Sequence, residues 1–123
     1  MTTFQRPCRL TIYISGSSKH HHKPLLDVIV HRAQAAGLAG ATVLRGIEGH
    51  GASGDVHTIR LLDVSDRLPH TVVIFDEEGK LRDFVQHNDD CVHGWLIALE
   101  ALEICLPDNE ITLPQPPLPD PAR

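Results

Sequence analysis

Gly46 lies near the end of a strand-like run over Ala41–Ile47, Gly49 and Gly51 follow it, and His50 sits among them. Glycines at this spacing let backbone amides approach a ligand closely and form concavities that hold an anion. The same glycines also serve simply to turn the chain, and spacing alone leaves both readings open. No Lys-Ser or Lys-Thr follows them, so the run is not a nucleotide-binding P-loop and phosphoryl transfer by that route is not expected.

Nine histidines are the second chemical feature. His20, His21 and His22 are consecutive, and His50, His57, His70, His87 and His93 are spread behind them. Neutral imidazole is a good ligand for zinc or copper. Adjacent histidines in a loop point in different directions, however, and no His-x-His or His-x-x-x-His pair falls on an expected element. Metal-ion binding through His residues is kept as the alternative function, with no metal ligand assigned. Catalysis has less support. Ser53, His57 and Asp63 show no nucleophile-elbow spacing, and the adjacent pairs Glu77-Glu78 and Asp89-Asp90 suit helix starts better than an acid–base dyad. No catalytic residue is expected, and the chain is read as a binding protein.

The elements that must position these residues follow from periodicity. Cys8, Leu10, Ile12 and Ile14 alternate with Arg9, Thr11, Tyr13 and Ser15, which predicts a half-buried strand. Ser15-Gly16-Ser17-Ser18 breaks it. Pro24 suits a first helical turn, Leu25, Ile29, Ala33 and Ala36 repeat at helical spacing, and Gly37 supplies a left-handed stop. A strand follows over Ala41–Ile47, then a Gly-rich turn over Glu48–Asp55 and a weaker strand-like run over His57–Val64. His70–Phe75 is β-branched and bounded by Pro69 and Asp76. Asp76 is expected to cap a helix carrying Leu81, Phe84 and Val85. Asn88–Gly94 breaks the pattern. For Trp95–Leu106 helix propensity and topology disagree, and topology predicts a closing strand. Two strand–helix–strand halves in one small domain predict an α+β fold, a ferredoxin-like split-βαβ sandwich with its helices on one face.

Composition limits the partners. A length of 123 residues suits one domain, and the 41% hydrophobic content can build one core, although aromatics are only 4%. So lean a core gains from burial between subunits. The net charge of −5 comes without a basic patch, so no nucleic-acid binding is expected. No apolar run approaches the roughly 20 residues of a membrane span, so no membrane insertion is expected. The three cysteines are far apart and form no Cys-x-x-Cys, which suits a reduced, cytoplasmic protein. Residues 1–7 read as an N-terminal extension, 8–106 as the domain, and 107–123, with six of the nine prolines, as an extended flexible tail.

The run from Gly37 to Gly51, Gly-Leu-Ala-Gly-Ala-Thr-Val-Leu-Arg-Gly-Ile-Glu-Gly-His-Gly, resembles an uncharacterised family of PII-like signalling proteins. So do Lys23-Pro24-Leu25 before it and His57-Thr58-Ile59-Arg60 after it, and the resemblance covers Leu10 to Leu106. It implies a homotrimer, a small effector held at subunit clefts, an adenine nucleotide being the family's example, and a loop over 48–57 that reaches a target protein. By position, Gly46, Gly49, His50 and Gly51 would form the loop base, and Gly94 would match the glycine of PII's second loop. PII places a phosphate-binding lysine in that loop, whereas Trp95 follows Gly94 here. Arg45 and Arg60 are the nearest cationic substitutes, and a nucleotide is expected to bind more weakly than in PII.

Overall fold

A computed structural model describes residues 4–50, 56–58 and 68–105. One four-stranded antiparallel sheet, in the order β4-β7-β1-β8, is built from β1 (Pro7–Ser15), β4 (Ala41–Arg45), β7 (Pro69–Glu77) and β8 (Leu96–Ala101). The register runs from Pro7↔Glu77 to Ser15↔Pro69 between β1 and β7, and from Cys8↔Ala101 to Tyr13↔Leu96 between β1 and β8. The helices α1 (Leu25–Ala35) and α2 (Glu78–His87) complete the two halves. This is the ferredoxin-like sandwich that the two repeated halves predict.

Alternation on the two central strands decides which face the helices cover. Cys8, Leu10, Ile12 and Ile14 of β1 and Val72 and Ile74 of β7 form one buried cluster with Leu25, Ile29 and Ala33 of α1 and Leu81 and Phe84 of α2. Helix α1 ends as expected: Gly37 adopts φ +73°, the Leu38 N–H donates to the Ala33 carbonyl, and the Gly37 N–H donates to that of Gln34. These two bonds satisfy carbonyls that a helix end leaves without partners. Among the described residues no element covers the opposite sheet face. Tyr13, Leu44, Phe75 and Leu96 are exposed there, Leu44 at 55% and Leu96 at 69%.

Several expectations are corrected. The stretch before α1 is not only a break, because β2 (Lys19–His20) and β3 (Lys23–Pro24) pair as a hairpin. Pro24 is the residue before α1 rather than part of its first turn. Glu48–His50 is strand β5, not turn, and it pairs with β6 (Val56–Thr58). The run expected over His57–Val64 is a strand at 56–58, and residues 59–67 lie outside the described ones. Asp76 belongs to β7 and does not cap α2. Its buried carboxylate accepts the Ala39 N–H (2.9 Å) and the Glu77 N–H (2.7 Å), tying the α1–β4 turn to the sheet. The ambiguous C-terminal segment is strand β8, and within the 88–94 break lies a short helix, α3 (Asp89–Val92). The proline-rich tail lies outside the described residues.

Candidate functional site

The end of the sheet where β4 stops and β7 starts gathers part of the loop base. Arg45 pairs with His70 across the two strands, and the Gly46 N–H donates to the Pro69 carbonyl at 2.7 Å. His70 is buried, with Nδ1 3.0 Å from the Leu68 carbonyl oxygen. Strand β5 follows, ending at the exposed His50. Neither Gly46 nor Gly49 adopts a positive φ. What demands glycine is the Pro69 ring: an added Cβ would stand 2.7 Å from Pro69 Cγ at Gly46 and 2.9 Å at Gly49. The steric role therefore accounts for these two glycines, whatever ligand their backbone meets.

Gly94 differs. It does adopt positive φ, +86°, with open space where a Cβ would be. It lies just ahead of β8, and the Trp95 N–H bonds the Val92 carbonyl at 3.2 Å. The register puts Leu96 beside Tyr13 and Pro69 beside Ser15, so Gly94 and Gly46 share one end of the sheet. They stand on opposite lateral edges, with β7 and β1 between. At about 4.8 Å per strand, edge to edge is roughly 14 Å. The chain thus brings Arg45, Gly46, Gly49 and His50 to one edge and Gly94 to the other. Gly51 and Arg60 lie outside the described residues.

A second concave region lies on the helix side. A groove of about 650 Å³ opens between the β2–β3 hairpin, α1 and α3. Arg32 binds Asp90 through both nitrogens, at 2.7 and 3.0 Å, and reaches Asn88 Oδ1 at 3.1 Å. This contact, above all its hydrogen bonds, holds the Asp90 carboxyl below its ordinary value. Burial pushes the neighbouring Cys91 thiol up, which keeps it protonated and unreactive. Sequence spacing does not single out this groove, because its walls come from three separate segments. His31, on an exposed turn of α1, has no histidine partner at helical spacing to mark it. Among the described residues no three His, Cys, Asp or Glu side chains come together as metal ligands.

A family model, DUF190, described as an uncharacterized ACR, matches residues 8–104. The chain belongs to this family. Over 95 residues it is 35% identical to a UPF0166 protein of Aquifex aeolicus (strain VF5), covering 77% of this chain and 90% of that protein. Among solved structures it is similar to CPII, a nitrogen regulatory PII-like protein from Thiomonas intermedia K12 bound to ADP, AMP and bicarbonate. That match has a TM-score of 0.58 and 15% identity over 80% of this chain and 88% of the other. It is also similar to the divalent ion tolerance protein CutA1 from Ehrlichia chaffeensis, with a TM-score of 0.56 and 7% identity over 82% and 85% of the two chains. At such identities the structures establish a shared fold. The DUF190 chain is PII-like in architecture. No helix among its described residues is long and apolar enough to cross a membrane.

Proposed function

We propose that this DUF190 chain is a cytoplasmic PII-like regulatory protein, not an enzyme, that binds an adenine nucleotide at clefts between three copies. The loop over 48–57 then engages or releases a target protein, its ordering biased by the bound effector. One observation carries the reading: Arg45, Gly46, Gly49 and His50 occupy one lateral edge of the sheet and Gly94 the other, at the same end. Two such half-sites face each other only when a second copy is placed beside the first. The uncovered apolar face with Tyr13, Leu44, Phe75 and Leu96 supports association, as does a core with few aromatics. The ligands named for the Thiomonas protein supply the effector class.

Trp95 stands where PII has a phosphate-binding lysine, so binding is expected to be weaker by about tenfold, the worth of one charge-assisted contact. The metal-binding alternative would need ligands brought together between copies, since the described residues of one chain do not converge. Calorimetry with ADP, joined to light scattering, tests the reading. Saturable binding by a trimer, weakened about tenfold by Arg45→Ala, is the expected result. A monomer that binds no nucleotide would overturn it.

A further inference from the structure

The β2–β3 hairpin closes through the pair His20↔Lys23, leaving His21 and His22 as the two residues of its turn. Both have positive φ, +50° and +70°, and they are the non-glycine residues with that property among those described. Turns of this kind strongly prefer Asn-Gly or Gly-Gly. A left-handed backbone occupied by two side chains that could be glycine is retained where the side chain has a use.

A groove lies beside it. From the hairpin, His20, His21 and Lys23 line it, and His20 and His21 stand edge to face with ring centroids 4.2 Å apart. From α1 come Asp27, His31 and Arg32, and from α3 comes Asp90. Asp90 is engaged by Arg32 and by His20 Nε2, the latter at 3.3 Å. His31 Nδ1 lies 2.7 Å from the Asp27 carbonyl oxygen, leaving Nε2 as its second nitrogen. With imidazoles neutral, Lys23 and Arg32 balance Asp27 and Asp90, and each imidazole that takes a proton makes the groove more cationic. Convergent metal ligands are lacking among the described residues, and Asp90 already has two partners. Imidazoles and an ammonium around a cavity of about 650 Å³ suit an anionic small molecule, the volume being in the range of metabolite sites.

We propose that this groove is a second ligand site, separate from the loop base, that takes a small phosphorylated metabolite through its phosphate, with Lys23, His21 and His31 as the anchoring groups. Binding is expected to strengthen where imidazoles carry a proton, with Asp27 and Asp90 opposing the anion.

The test is calorimetry of the full chain with inorganic phosphate and with glycerol phosphate at pH 6 and pH 8. Saturable binding is expected, at least tenfold tighter at pH 6 and tighter for glycerol phosphate than for phosphate alone. Lys23→Ala should weaken it about tenfold. His21→Gly keeps the turn, because glycine accepts positive φ, yet should also weaken binding several-fold with no loss of melting temperature. Arg45→Ala should leave phosphate binding unchanged. The proposal is overturned if no phosphate binds at pH 6, if His21→Gly binds as the natural chain does, or if Arg45→Ala abolishes binding and ADP displaces the anion. Saturable Ni²⁺ binding lost in His21→Gly, without phosphate binding, would make the groove a metal site and overturn it equally.

Discussion

Two connections at the same end of the sheet use their residues in opposite ways. At the loop base, glycine stands where the backbone has no need of it: Gly46 and Gly49 avoid positive φ, and the constraint is the Pro69 ring pressed against them. In the β2–β3 hairpin, the backbone does favour glycine, yet His21 and His22 occupy both turn positions. One site gives up side chains to let two segments touch. The other accepts strain, about 1–2 kcal/mol for each left-handed residue, and so keeps two imidazoles. At these two connections the presence of glycine does not mark positive φ, and its absence does not mark ordinary φ.

The contrast can be broken most severely at Gly46. A Cβ there would meet Pro69 Cγ at 2.7 Å and the Pro69 carbonyl oxygen at 3.2 Å, so Gly46→Val is expected to destabilise the fold by about 3 kcal/mol, the upper range for overpacking. Urea unfolding would show it as a lower midpoint, and an unchanged midpoint would refute the steric account. Gly49→Ala should cost less, about 1 kcal/mol, since only the ring carbon is crowded, at 2.9 Å. Adding Pro69→Ala should recover most of that loss, and a double variant whose effects merely add would show that the ring is not the obstacle.

The hairpin answers with the reverse sign. Relieving positive φ at His21 by glycine gains about 1–2 kcal/mol, partly offset by a more flexible unfolded chain at about 0.4–1 kcal/mol. His21→Gly should therefore leave stability unchanged or raise it slightly, and a clear fall in melting temperature would mean that the imidazole itself holds the hairpin.

The smallest effect is expected at Asp90, a half-exposed carboxylate held low chiefly by the Arg32 hydrogen bonds. A lowered carboxyl contributes stability above its ordinary value of 3.8 and loses that contribution as pH falls through the folded value. Asp90→Asn should remove this acid-side loss while changing stability at neutral pH only slightly. Parallel melting curves for both proteins at every pH between 2 and 7 would contradict it.

Much of the fold was legible because its long elements repeat. Cys8, Leu10, Ile12 and Ile14 alternate into the core, and Gly37 ends α1 in the left-handed conformation its position requires. For the segment after Trp95, Leu, Ala and Glu favour a helix, but only a strand closes the sheet beside β1. The β2–β3 hairpin was not legible, because His-His carries none of the usual turn chemistry. Strand β5 was hidden by Gly49 and by its three-residue length. At the site, Arg45, Gly46, Gly49 and His50 could be located from the run they form, whereas the Pro69 contact spans a long stretch of sequence. The groove was illegible for the same reason: Arg32 and Asp90 meet only in the fold.

The central claim is that the effector site is completed between copies, and subunit mixing tests it most directly. Arg45→Ala and Gly94→Val would each damage one half-site. If the cleft joins one chain's loop base to its neighbour's second loop, chains of the two kinds refolded together regain intact clefts, roughly a quarter of the total for random association. Calorimetry should then recover ADP binding at about that fraction, although neither variant alone binds well. Mixed assemblies that bind no better than the separate variants would contradict the account.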